Sequence, residues 1–307
     1  MRPIQCRRCR GMLGEEFIIA AGETMNDRHL SADEVARFHD DGYLLKPALL
    51  DAEEVALMRR ALANDAGIGD MRNTMAMHDA DGSVTTTVLW TDPGDDLFGA
   101  IARCERVVGG AERLLGGEVY HYHSKLTLKA PETGGAWNWH QDYGYWYFNG
   151  NLFPDMLSVL IAIDPATQEN GCLQVIRGSA RMGRLDHELV GGQLTATPER
   201  VEHAIERLDV VSCEMAAGDA LFLHCNTLHG SSKNTSQRSR NVLLCCYNAA
   251  RNDPYKDHHM PRYTPLQKLP DSAVKERGGI HAGASRRFMR PEDHPDDQAS
   301  LSTPDAS

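Results

Sequence analysis

The stretch Val119-Tyr120-His121-Tyr122-His123-Ser124-Lys125-Leu126-Thr127-Leu128-Lys129 alternates in the manner of a β-strand. After a glycine turn at Gly134 and Gly135 the chain continues as Trp137-Asn138-Trp139-His140-Gln141-Asp142. With Trp137 to Asp142 extended, His140 and Asp142 project to one face, roughly 6.6 Å apart along the backbone, because side chains alternate across a strand. An imidazole and a carboxylate so placed can converge on one metal ion. A second histidine would complete the facial triad of non-haem iron(II) oxygenases, which leaves adjacent coordination positions for a chelating 2-oxo acid and for dioxygen.

The H-x-D pattern alone is weak, for it recurs at His39 with Asp41 and at His294 with Asp296. His39 and Asp41 fall in Ser31 to Asp41, which reads as a helix, where residues two apart point about 200° apart around the axis. His294 and Asp296 stand in an acidic tail with no scaffold. Only His140 and Asp142 have a strand beneath them.

Downstream of that strand, Met156 to Ile163 is a near-continuous apolar strand, and Asn170-Gly171 turns the chain into Cys172 to Ile176. After a polar insert from Gly191 to Arg207, Val210 to Met215, Ala220 to His224 and Asn241 to Tyr247 read as further short strands. Upstream lies a helical flank. Ser31 with Glu34 forms a capping box and Gly42 a terminator. Tyr43 to Lys46 is a short strand, Asp51 caps a second helix, Val84 to Trp90 is a strand, and a third helix runs from Leu97 to Leu115. Many short strands with glycine and asparagine turns predict a mainly β chain with a helical flank: a double-stranded β-helix, the cupin-like jelly roll. One domain is expected over residues 26–290. Residues 1–25 read as a disordered N-terminal extension, and 291–307 as a disordered tail.

The 307 residues carry a net charge of −11 without a basic block, which disfavours nucleic acid and anionic membrane surfaces as partners. No apolar run is long enough to cross a bilayer. Eight cysteines are too few for a disulfide scaffold at this length, and Cys245 with Cys246 falls inside an apolar run. Buried free thiols in a reducing cytoplasm are expected. Cys6 and Cys9 form a C-x-x-C with no second pair at zinc spacing.

A further ligand must come from another strand, and His229 in His229-Gly230-Ser231 is the leading candidate, with His224 its rival. Eleven residues after His229, Arg240 opens an apolar strand. An arginine at the mouth of a buried strand demands an anionic partner, and its guanidinium matches a carboxylate in bidentate fashion. The far carboxylate of 2-oxoglutarate would serve. Ser231 shares a face with His229 and can add a hydroxyl. The aromatic cluster after Trp137 borders the metal strand, so Tyr143, Tyr145 and Trp146, with His123 on the neighbouring strand, are candidate substrate contacts.

From about Ser31 to Asp253 the chain resembles the phytanoyl-CoA dioxygenase family, which includes ectoine hydroxylase. The resemblance is carried by Gly42-Tyr43-Leu44, Trp139-His140-Gln141-Asp142, Asn170-Gly171-Cys172-Leu173, Arg177-Gly178-Ser179, Gly218-Asp219-Ala220-Leu221-Phe222, and His229-Gly230-Ser231 with Asn234 and Arg240. It implies iron(II) ligation by His140, Asp142 and His229, and a catalytic set completed by Arg240. It also implies 2-oxoglutarate held by Arg240 and Ser231, with Thr127 where the ectoine enzymes carry a co-substrate-binding asparagine. Trp146 matches an aromatic beside their site. Gln141 replaces their serine, and Tyr143 to Tyr147 departs from their pattern, which sets the substrate apart from ectoine. No basic patch awaits the phosphates of an acyl-CoA. Related halogenases have a small residue at the position of Asp142, so a carboxylate there favours hydroxylation. The expected activity is hydroxylation of an unactivated C–H bond of a small-molecule metabolite, using iron(II), 2-oxoglutarate and O2 and releasing succinate and CO2. The alternative is a cupin-like metal-dependent isomerase or metal-binding module without 2-oxoglutarate. Nothing in the sequence speaks to oligomeric state.

Overall fold

The computed structural model of the chain describes residues 30–79, 81–190, 193–280 and 288–289. Cys6 and Cys9, the expected extension 1–25, His294 with Asp296, and the tail 291–307 all lie outside these residues. The chain opens with α1 (Ala32–Asp41), β1 (Tyr43–Lys46), α2 (Ala52–Asn64), β2 (Thr74–His78) and β3 (Val84–Trp90). Both helices start as reciprocal capping boxes, Ser31 with Glu34 and Asp51 with Glu54. α1 stops at Gly42, whose φ of +83° is the left-handed conformation that favours glycine. A β-carbon there would come within 2.5 Å of Thr227 Oγ1, and that hydroxyl donates to the Gly42 carbonyl at 2.6 Å. The helix terminus is thereby tied to the segment that leads into His229.

The helix expected from Leu97 to Leu115 is instead two, α3 (Leu97–Arg103) and α4 (Glu105–Leu115). Cys104 between them is extended because a distant segment docks at the break. The Glu105 amide donates to the Leu269 carbonyl, and the Leu269 amide to the Arg103 carbonyl. β2 lies in a stretch without a strand pattern and pairs with β3 at the sheet's edge.

There follow β4 (Val119–Lys129), β5 (Trp137–His140), α5 (Asp142–Trp146), β6 (Met156–Ala162), β7 (Leu173–Ile176), β8 (His187–Val190), β9 (Gln193–Ala196), α6 (Pro198–Ile205), β10 (Val210–Cys213), β11 (Ala220–His224), β12 (His229–Ser231), β13 (Arg240–Ala249) and α7 (Ala273–Glu276). One sheet has the order β1-β11-β6-β13-β4-β3-β2 and the other β10-β7-β12-β5, with β8-β9 a separate hairpin. This is the expected double-stranded β-helix with its helical flank. The continuous apolar character of β6 follows from its place in the larger sheet. Val159 and Ile161 pack with Phe222, Leu243 and the helical Met58 and Phe98. Leu160 and Ala162 pack with Val175, Leu221 and Leu244 between the sheets. A sheet covered on both faces loses its polar alternation. Cys104, Cys172, Cys213, Cys225, Cys245 and Cys246 are buried free thiols, as expected. Among the described residues no helix is long and apolar enough to cross a membrane.

Candidate metal centre

The register of β12 against β5 sets His229 directly opposite His140, with ring centroids 4.1 Å apart. The expected strand through Asp142 ends at His140 instead. Gln141 stays extended, and Asp142 opens α5. The turn forms because the Tyr143 amide is taken by the Cys225 carbonyl and the Gly144 amide by the Gln141 carbonyl, leaving no ladder partner for a longer strand. One extended residue is enough to return Asp142 to the side of His140. The corner is braced by the fully buried Gln141 side chain. Its amide nitrogen donates to the Gly183 and Asn226 carbonyls, and its Oε1 accepts from the Leu185 amide. One ligand atom from each of His140, Asp142 and His229 lies within 4.8 Å of the others, and all three residues are buried.

The hydrogen bonds behind the rings set their chemistry. His140 Nδ1 lies 2.7 Å from the Asn138 carbonyl, and His229 Nδ1 lies 2.9 Å from the Thr227 carbonyl. A carbonyl only accepts, so each Nδ1 carries the hydrogen and each Nε2 presents a lone pair. Burial holds both rings below the usual histidine range, His140 further through the adjacent His229, so both are neutral donors. For Asp142, burial opposes ionisation, but His229, Lys125, His140 and the Ser158 hydroxyl outweigh it and hold the carboxyl below its usual range. Ser158 Oγ donates to Oδ2 at 2.8 Å, while Oδ1 faces His229 Nε2 at 3.9 Å. Two oriented neutral nitrogens and one anionic oxygen, each anchored from behind, suit iron(II). His224 has a different setting. Its Nδ1 accepts from the Asn226 amide at 3.1 Å and its ring lies beside Phe38. His39 is exposed on α1.

A second group is assembled from β13, β4 and β12. Arg240 is 5% exposed, its Nε is buried without a partner, and no carboxylate among the described residues pairs with it. Burial lowers its guanidinium to about 10, which leaves it cationic at neutral pH. Its register partner on β4 is Lys129, fully buried, whose Nζ donates to Ser231 Oγ at 2.8 Å and to the Ser232 carbonyl at 2.5 Å. Burial, and then the charge of Arg240, pushes Lys129 down to about 6. Lys129 was missed by the motif reading. Strand parity with Thr127 was its only trace in the sequence. Thr127 is buried two residues before it on the same face.

Of the aromatic candidates, the Tyr145 ring stands edge-on to His140 at 6.1 Å, with its hydroxyl donating to the Leu194 carbonyl at 3.2 Å. Trp146 stands edge-on to His123 at 5.7 Å. Tyr143 packs in a cluster with Tyr122 and Met156, and its hydroxyl donates to the Asn151 carbonyl. His123 is 3% exposed with an unpartnered Nδ1.

A buried guanidinium without a counterion is stable only when an anion regularly fills the space before it. On a double-stranded β-helix with a facial His-Asp-His donor set, that demand defines a class: oxygenases that use iron(II) with a 2-oxo diacid. The sequence pattern of phytanoyl-CoA dioxygenases matches residues 38–242. The chain is 31% identical over 239 residues to an L-proline trans-4-hydroxylase of Streptomyces griseoviridis, across 72% of this chain and 88% of that protein. It is 29% identical over 246 residues to an ectoine dioxygenase of Stutzerimonas stutzeri, across 73% and 78%. The crystal structure of EctD from S. alaskensis with 2-oxoglutarate and 5-hydroxyectoine superposes with a TM-score of 0.66 at 25% identity, across 81% of this chain and 92% of that one. The chain belongs to the phytanoyl-CoA dioxygenase family. It is an iron(II)- and 2-oxoglutarate-dependent dioxygenase, which favours that expectation over the cupin-like isomerase.

Proposed function

We propose that His140, Asp142 and His229 hold one iron(II) ion, that Arg240 and Ser231, backed by Lys129, receive the far carboxylate of 2-oxoglutarate, and that a small-molecule metabolite is hydroxylated beside them. The carrying observation is the pairing of a convergent buried donor set with a buried arginine that has no counterion. A cupin-like isomerase would have no use for that arginine. When bound, iron(II) with 2-oxoglutarate and O2 supplies the oxidation, one oxygen atom going into the substrate C–H bond and the other into succinate as CO2 leaves. The chain's own residues orient and enclose. Asn138 and Thr227 carbonyls fix the two imidazoles, and Ser158 fixes the carboxylate. Arg240 and Ser231 set the direction of the diacid, with Thr127 on the adjoining face. Tyr145 and Trp146 wall the site, which keeps water from the reacting C–H bond. A small substrate is supported by the relatives, named for L-proline and for ectoine. A reducing compartment such as the cytoplasm suits the six buried thiols and iron(II).

Anaerobic addition of iron(II) and 2-oxoglutarate should produce a weak visible charge-transfer band in the wild type and none in His140→Ala. A wild-type protein that stays colourless, with metal content verified, would sink this assignment.

A further inference from the structure

Beyond the bulge that interrupts the β4–β13 register, His123, Lys125, Thr127 and Lys129 alternate on one face of β4. Two contacts show where that face points. Lys129 reaches Ser231 on β12, and His123 meets Trp146 on α5, the helix that Asp142 opens. Lys125 stands next to His123 in this row, and its register partner on β13, Leu244, belongs to the apolar layer between the two sheets. Among the described residues the Lys125 side chain makes no hydrogen bond or ion pair, and Asp142 is not within ion-pair distance of it. A part-buried lysine on the metal-centre side of the sheet, without a counterion among the described residues, is placed to receive an anion. His123 adds an independent sign of a missing ligand at the same end, a buried Nδ1 with no partner.

Charge decides which anion. Under the function proposed above, iron(II), Asp142 and Arg240 already balance the two carboxylates of 2-oxoglutarate, before Lys129 is counted. The charge of Lys125 is left over. It lies on the His123 and Trp146 side of the row, opposite the end where Lys129 meets Ser231.

We propose that Lys125 receives a carboxylate of the substrate, so that the enzyme selects small carboxylate-bearing molecules, with His123 as a second polar contact. This rests on the iron and 2-oxoglutarate assignment and deepens it. The recognition is a charge-assisted hydrogen bond, and its loss weakens binding roughly 10- to 100-fold.

The test measures succinate formed above the substrate-free background by iron-loaded wild type and Lys125→Met. The probes are a panel of free L-amino acids, L-proline among them, and the corresponding amides. Stimulation is expected from free acids and not from their amides. In Lys125→Met the KM for the stimulating acid should rise at least about tenfold, while the 2-oxoglutarate titration of the charge-transfer band keeps its midpoint. Equal stimulation by the amides, an unchanged KM, or no stimulation by any acid overturns the proposal. So does a variant whose band requires much more 2-oxoglutarate, because Lys125 would then serve the co-substrate. Absence of the band in the wild type is a separate result that defeats the metal assignment itself.

Discussion

Lys129 donates two hydrogen bonds, to Ser231 Oγ and the Ser232 carbonyl, and a neutral amine has two hydrogens to give. Burial and the charge of Arg240 bring it to about 6, so near pH 7.5 most of it is unprotonated in the free protein. An arriving carboxylate favours the charged form, which supplies a third donor. Binding of 2-oxoglutarate should therefore draw a proton from solvent above about pH 6 and none well below it, where Lys129 is already charged. Calorimetry in buffers of different ionisation enthalpy reads this directly, and Lys129→Met should abolish the uptake. The same depression acts on folding. Between about 6 and the ordinary lysine range the unfolded chain binds more protons, so this group makes the free protein more stable as pH rises through that window. Motif reading reached Arg240 and Ser231 but passed over Lys129, because a lysine's burial is a property of the sheet and is not written in its neighbours.

At the scale of elements the metal centre is a strand-pairing device. Between the His229–His140 and Ser231–Trp137 pairs β5 carries one extra residue, a bulge. Gly230 lies against it, and a β-carbon there would stand 2.9 Å from the Trp137 carbonyl oxygen. Backbone cannot yield as a side chain can. Gly230→Ala should push β5 away from β12, separate the two imidazoles and weaken iron(II) binding by about tenfold or more, with a stability loss of about 1–3 kcal/mol. Metal titration beside a denaturant melt would check both, and unchanged metal affinity would show the pairing to be more tolerant than this geometry implies. The short helix after His140 was not legible, because Tyr143 turns inward on a carbonyl of Cys225 that lies some eighty residues downstream.

For the whole molecule, the larger sheet lies between two apolar layers, the helical flank on one face and the smaller sheet with the metal centre on the other. The flank also holds a buried ion pair, Arg106 with Glu54 at 2.5 Å, both side chains at most 3% exposed. Without Glu54, Arg106 keeps only the longer approach of Asp271 Oδ1, 3.8 Å from its Nε. Glu54→Ala should therefore cost about 3 kcal/mol or more, read as a lower denaturation midpoint. Because the pair lies across the sheet from the triad, the folded fraction should retain the charge-transfer band. A large loss of the band per folded molecule would show that the flank positions the site as well as supporting it.

What the sequence by itself determined is whatever depends on neighbours along the chain. The two capping boxes, the stop at Gly42, the strand periodicity of β4, and the spacing of His140 to Asp142 and of His229 to Arg240 are all of this kind. Local hydrogen bonding and strand alternation act over a few residues, so they are written in order. The tertiary structure alone decided which histidine faces Asp142, since His229 rather than His224 pairs across from His140. It also broke the third helix at Cys104 by docking Leu269, and it placed Lys129 beside Arg240. These choices depend on burial and on ladder partners far apart in the chain, which exist only once the two sheets have closed on each other.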